Sequence, residues 1–393
     1  MFFWLMVCFL LFAVGDILSV VTKARLSSVF IALMLFLLGF LLKIFPPDII
    51  SQAGLTQIGS FSAAYIVFHM GTMIEIEQLK KEWRTVLMAL ISMMVAVGMV
   101  LAVSFFIGRE NSIVSAPIIN GGIVATQIMT KAALEKGFTM AASLGTIVFA
   151  VQKFVGTPFA SAFGLREAKE VLKEYRADLA KGELRPEFLK ATQSEAEVSS
   201  HKFWHKHQKF YTPFVCISIT AIGAWLATEL GTLVPSINYS IWALVLGILA
   251  AHTGLVPNNI LDRGISSGFI NAVVFSSLIP ALANIQIGDL LTLAVQTIVL
   301  FAAVMIGLFV FTYILPTWKI VGHRNLAFGI SVIQLLGFPA NYLVVNEVAN
   351  ASTETPEEKQ VVLSRLMPAY IISNFVSVTS LSIVVAGIAA TLL

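Results

Sequence analysis

Ten runs of roughly 20 mostly apolar residues each constrain this chain more than any other feature, because that is the length a helix needs to cross a bilayer. They are Phe2–Val21, Leu26–Phe45, Leu55–Ile74, Thr85–Ile107, Phe138–Phe163, Phe210–Thr232, Tyr239–Val256, Ile265–Ile287, Leu290–Leu315 and Leu366–Leu393. Only 12% of the 393 residues are charged, against about 25% in a soluble domain. Too few charges remain to wet the surface of a globule of this size. That excludes a soluble enzyme, a nucleic-acid binder and a disordered chain. Lipid offers the backbone no hydrogen bonds, so runs of this length must be helices, and the expected fold class is an all-α polytopic membrane protein. The first run has no basic residue ahead of it and no small-residue cleavage site behind it, so it reads as a span rather than a cleaved signal. Cys8 and Cys216 lie in apolar runs and imply neither a disulfide framework nor a thiolate metal site.

Two further stretches are apolar but interrupted. Residues 112–130 pass through Pro117, Asn120, Gly121 and Gly122 and continue through Thr126, Gln127 and Thr130. Residues 326–348 contain Gly329, Ser331, Gln334, Gly337, Pro339, Asn341 and Asn346. Broken backbone and amide side chains survive at membrane depth only against protein or a wet cavity. Both stretches are therefore expected to be re-entrant hairpins, entering and leaving on one side; a pair of ordinary polar spans is the alternative.

Charge placement gives an orientation. Gly164–Lys209 is the long hydrophilic segment, with ten basic and eight acidic residues. If it is cytoplasmic, 20 of the 25 Lys and Arg residues fall on the cytoplasmic side, among them Lys23, Arg25, Lys80, Lys81, Arg84 and Arg263. Only Lys43, Arg109, Lys131 and Lys136 fall outside, and Lys153 is left inside a span. This bias satisfies the positive-inside rule and puts both termini outside.

The order of four spans, a Gly/Asn-rich interruption and one span occurs before the loop and again after it. Ile74–Leu79 and Ile285–Leu290 end the third span of each half alike. Five spans is an odd number, so the second half is expected upside down relative to the first. The chain then divides into a first repeat (1–163), a cytoplasmic linker (164–209) and a second, inverted repeat (210–393). Inverted repeats whose interrupted helices meet near the midplane are a common build of secondary transporters.

Several motifs, taken in order, resemble a known family. They are Asn120-Gly121-Gly122, Lys131 to Gly137-Phe138 and Gly156-Thr157-Pro158 in the first half. In the second they are Gly247-Ile248-Leu249, Arg263-Gly264-Ile265, Gly329 and Gly337-Phe338-Pro339-Ala340-Asn341. With these the chain resembles the bacterial sodium/glutamate symporters and, more distantly, the inverted-repeat elevator carriers related to citrate and bile-acid transporters. The resemblance implies sodium-coupled uptake of glutamate or a related small carboxylate or amino acid across the cell inner membrane. It further implies an elevator-type movement against a homodimeric scaffold, with Na+ as coupling ion and no other cofactor. After the Gly-Gly, however, the family carries a string rich in glycine and histidine, where this chain has Ile123-Val124-Ala125-Thr126. The family's second hairpin is rich in glycine and starts with histidine; here it reads Gly329-Ile330-Ser331-Val332-Ile333-Gln334. The substrate expected is a small anionic or zwitterionic solute that need not be glutamate.

Helix N-termini suit a carboxylate and unwound carbonyls suit a cation. The candidate substrate-binding residues are Asn120, Gly121, Gly122, Thr126, Gln127, Lys153, Gln334 and Asn341, and the candidate ion-binding residues are Ser331, Gly337 and Gly329. Polar side chains of these types also stitch helices together without binding anything. Lys153 is the sharpest single residue, because an ammonium deep in a span is expensive. It would attract an anion, stand in for a coupling cation, or simply pair with Glu347. His69 reads as a hydrogen-bonded core histidine, and Glu229 and Asp16 as interfacial charges. His201, His205 and His207 have a spacing that could hold a metal, but in a solvated basic loop no metal site is expected.

Gly264-Ile265-Ser266-Ser267-Gly268 fits the G-x-S-x-G pattern of hydrolases, which needs a strand-to-helix elbow and a triad partner. Here it opens a membrane helix, so an enzyme is not expected. The rival readings are a sodium-independent or proton-coupled organic-anion carrier on the same scaffold and, further off, a channel.

Overall fold

In the computed structural model every described element is helical. The described residues are 1–21, 28–74, 76–181, 203–234, 237–337 and 340–393. The expectations placed on Lys23, Arg25, Glu75, residues 182–202 of the linker with His201, and Phe338-Pro339 lie outside them.

The first half contains α1 (Phe2–Val21), α2 (Ser28–Leu41), α3 (Leu55–Thr72), α4 (Trp83–Ala102), α5 (Arg109–Ile118), α6 (Ile123–Glu135) and α7 (Thr139–Lys181). The second contains α8 (Pro213–Leu233), α9 (Tyr239–His252), α10 (Ser267–Ser276), α11 (Asp289–Phe309), α12 (Arg324–Ile333), α13 (Ala340–Ser352), α14 (Pro356–Asn374) and α15 (Ser382–Leu392). A π-helical turn, Val310–Ile314, extends α11, and another, Phe375–Leu381, joins α14 to α15.

The sequence predicts ten full spans; among the described residues five helical stretches are long and apolar enough to cross a membrane: Trp83–Ala102, Thr139–Lys181, Pro213–Leu233, Asp289–Ile314 and Pro356–Leu392. Local chemistry shortens several of the others. The run from Ile265 is α-helical only to Ser276, and a 3-10 turn at Ile279–Ala281 follows, where Pro280 has no N–H to continue the ladder. α9 stops at His252, two residues before Gly254 turns left-handed at φ +73°. α2 stops at Leu41, ahead of Lys43 at φ +57° and the Pro46-Pro47 pair. The apolar side chains left outside include Phe105, Phe106, Phe214 and Leu291, each 74% exposed or more. A surface of that kind is stable in lipid and not in water. The chain is an all-helical membrane protein.

α7 has 43 residues and is therefore about 65 Å long. That exceeds even the ~45 Å of a bilayer with its headgroups, so one end must project. The sequence predicts a span ending at Phe163 and a separate surface helix over 166–189. The two are continuous as far as Lys181: Gly164 is held within the helix by close packing against Tyr370 and Val348, and the residues that follow are good helix formers. The projecting end is held by a two-pronged ion pair from Arg176 to Glu358, Nε to Oε1 at 2.7 Å and Nη2 to Oε2 at 3.1 Å.

Small residues set a close crossing between the two halves. α3 and α9 meet at Gly71 and Gly247, where a β-carbon on Gly71 would lie 2.9 Å from the Gly247 Cα and overlap the Leu244 carbonyl. Backbones approach this closely only where side chains are missing. Gly71→Val is expected to lower the thermal midpoint of the detergent-solubilised protein, at a cost of about 1–3 kcal/mol for overpacking. An unchanged melting curve would show that the crossing relaxes freely.

The two interrupted segments have the same build. α5 and α12 are 10 residues each, and α6 and α13 are 13 each. A 10-residue helix is about 15 Å long, half of the hydrocarbon core. α7 packs against α5, α6, α12 and α13, while α14 packs on α12 and α13 and α15 on α5 and α6.

Candidate functional site

The first interruption follows from two residue types. Pro117 cannot donate within the last turn of α5, and Gly121 adopts φ +87°, which a side-chain-bearing residue resists. Asn120 between them is fully buried. Its Nδ2 donates to the Ala116 carbonyl at 3.1 Å and its Oδ1 has no partner. α6 then starts at Ile123 behind an extended Gly122, with no side chain capping its first turn. An uncapped helix start carries partial positive charge and free N–H groups.

The second interruption is built similarly. Leu335 and Leu336 close short turns onto the carbonyls of Val332 and Ile333, and Gly337 goes left-handed at φ +69°. The flanking amides of Gln334 and Asn341 are each 1% exposed, yet neither the nitrogen nor the oxygen of either has a hydrogen-bond partner. A buried amide without partners costs about 1–3 kcal/mol, so groups left in this state demand an explanation.

The two interruptions touch. A β-carbon on Gly121 would overlap the Gln334 carbonyl oxygen, and one on Gly337 would lie 3.7 Å from the Gly121 carbonyl oxygen. Gly122 faces the last helical stretch, where a β-carbon would sit 2.7 Å from Ser382 Oγ and 2.9 Å from the Val378 carbonyl. Val378 lies in the π-helical turn Phe375–Leu381. Such turns misalign the backbone ladder and recur at functional sites. Asn374, at the start of that turn, adds another buried amide with an unpartnered oxygen.

The remaining candidates are placed as follows. Gln127 is buried, its Nε2 donating to the Gly59 carbonyl at 3.2 Å and its Oε1 left unpartnered. Thr126 returns its hydroxyl to the Gly122 carbonyl at 2.8 Å. Ser331 lies inside α12, donating to the Ala327 carbonyl at 2.7 Å and meeting Ser92 Oγ at 2.6 Å. Gly329 is also inside α12, where a β-carbon would run into the Tyr370 hydroxyl. Gly329 and Ser331 therefore take part in helix packing one turn or more before the break, and of the three residues expected to bind an ion Gly337 is the one that lies at the break itself. Lys153 is half-buried on α7, one turn before Gly156, which packs on Leu335 and Leu336 beside the second break. Among the described residues Lys153 has no hydrogen bond or ion pair, and Glu347 is exposed rather than paired with it.

His69 accepts a hydrogen bond from the Leu261 N–H at 3.2 Å. Gly264–Gly268 runs from the end of a short helix, Ile260–Arg263, into the first turn of α10, with Ser266 Oγ reaching the Leu261 carbonyl at 3.4 Å. Among the described residues no strand precedes it, whereas a nucleophile elbow sits on a strand-to-helix turn. The contributions of Asn374, Val378 and Ser382 are not anticipated by the sequence reading. The signal available for them is the spacing of Asn374, Ser377 and Ser382 within an otherwise apolar run.

The arrangement defines a class: an all-helical membrane protein with two broken helices meeting at buried amides that have unused hydrogen-bonding capacity. No protein-family model matches the chain, and no curated protein matches it.

Proposed function

We propose that the chain is a secondary active transporter for a small anionic or zwitterionic solute, with sodium-coupled uptake of glutamate or a related carboxylate or amino acid as the leading case. The observation that carries this reading is the meeting of the two broken helices at Gly121 and Gln334, amid the wholly unpartnered amides of Gln334 and Asn341 and the unpartnered amide oxygens of Asn120 and Asn374. Amides with free donors and acceptors can exchange a solute's hydration shell for protein contacts. The uncapped start of α6 favours a carboxylate. The turn around Gly337 would leave carbonyls to a cation.

In this reading the two 10-plus-13-residue segments are re-entrant hairpins of two inverted repeats, entering from opposite sides. Residues 164–209 are cytoplasmic and both termini are outside. The hairpins ride with α7, α14 and α15 in an elevator-type movement against a dimeric scaffold in the cell inner membrane. The test is uptake of labelled glutamate by proteoliposomes of the purified protein. Accumulation that needs an inward sodium gradient is expected; sodium-indifferent counterflow would overturn the coupling, and unitary currents would overturn the carrier.

Lys153 favours a second reading, sodium-independent carriage of organic anions, since an unpaired ammonium near the break can stand in for a coupling cation. Lys153→Ala is expected to abolish uptake or to make it respond differently to sodium. Unchanged flux with an unchanged sodium response excludes both roles for this residue.

A further inference from the structure

We propose that Glu167, Glu170 and His323 form a binding site for a divalent metal ion of the zinc type, on the projecting end of α7 and away from the amide cluster. Glu167 and Glu170 are one turn apart on the same face of α7, and His323 is the residue immediately before α12. One potential ligand atom from each lies within 4.8 Å of the other two. His323 Nδ1 is 3.7 Å from Glu167 Oε1 and 3.6 Å from Glu170 Oε2. Those separations are too long for hydrogen bonds. They come close to the ~3.4 Å between ligand atoms that a tetrahedral ion with bonds of about 2.1 Å imposes.

The second observation is unused polar capacity at the same place. Glu167 is fully buried and its Oε2 has no hydrogen-bond partner. Asn325 is 7% exposed, donates from Nδ2 to Glu170 Oε1 at 3.0 Å, and leaves its own Oδ1 unpartnered. A buried carboxylate oxygen facing no donor is poorly accounted for by a lattice of ion pairs alone. Arg365 approaches Glu167 from α14, Nε to Oε1 at 3.3 Å, the same oxygen that faces His323, while Oε2 stays free to take an ion after a turn of the carboxylate. His323 and Glu170 are 29% and 53% exposed at their side chains, so an ion can enter from solution.

Glu167 is eleven residues beyond Gly156 on α7, which places the site about 16 Å along the helix from the second break. α12 runs from the site to that break. A bound ion would tie the outer end of α12 to α7 and restrain any sliding between them. The ion is therefore regulatory, and this consequence alone rests on the transporter reading.

The test uses the full-length purified protein with Co2+ as a spectroscopic probe and Zn2+ as competitor. Saturable visible absorption at one Co2+ per chain, displaced by Zn2+, is expected. His323→Ala and Glu170→Gln should each weaken binding by roughly tenfold or more. The triple change of His201, His205 and His207 to Ala should bind like the parent. Should His323→Ala fail to fold, Glu170→Gln carries the test, because its side chain is half in solvent. Absence of a stoichiometric cobalt signal overturns the site, as does binding lost only in the triple variant. Zn2+ is further expected to slow proteoliposome flux in the parent and not in Glu170→Gln. Binding without an effect on flux would overturn the regulatory role and leave the site standing.

Discussion

Gly121→Ala is expected to abolish uptake and to destabilise the protein by several kcal/mol. Two costs combine at this position. A side chain at φ +87° costs about 1–2 kcal/mol. Its β-carbon would also overlap the Gln334 carbonyl and lie 3.1 Å from Val378 Cγ2, adding about 1–3 kcal/mol of overpacking. Relief of that overlap means pushing the two breaks apart. Gly137→Ala is the control. Gly137 has φ +81° but open space around its would-be β-carbon, so only the conformational cost applies and uptake should survive. Thermal melts and proteoliposome uptake on both variants provide the comparison. Equal behaviour of the two would mean that the contact between the breaks does no work.

Gln334→Leu and Asn341→Leu are expected to move stability and function in opposite directions. Each side chain is buried and neither amide atom of either has a partner. Replacing an unsatisfied buried amide with an apolar group of similar size removes a desolvation cost of about 1–3 kcal/mol. The melting temperature should rise by a few degrees. Uptake should fall at least tenfold, because the groups that would take over a solute's hydrogen bonds are gone. A variant that is more stable and still transports would show these amides to be bystanders. One that is less stable would show that they are satisfied within the protein after all.

The positions of the helices could be read from hydropathy because lipid allows one response to a long apolar run. The two interruptions could be read as well, since Pro117, Gly121 and Gly337 act through their own backbone geometry. What escaped is what depends on distant partners. Ser331 and Gly329 sit in the interrupted stretch but are committed to Ser92 and Tyr370, which local sequence does not reveal. Asn374 and Ser382 lie in a run that reads as an ordinary span, and only the fold brings it against Gly122. Glu167 and His323 are more than 150 residues apart in sequence, so their proximity has no signature in spacing. Where a helix is shorter than the apolar run that holds it, the origin is local, in turn-formers such as Pro280 and Gly254 whose effect on helix length a window average hides.

The way α7 and the α14–α15 pair each touch both interrupted segments has a mechanical consequence. A close-packed interior transmits displacement instead of absorbing it. Two elements strapped together by the same pair of struts keep their relative position when either is driven. In the proposed transport cycle the kinks at Gly121 and Gly337 would thus be displaced together.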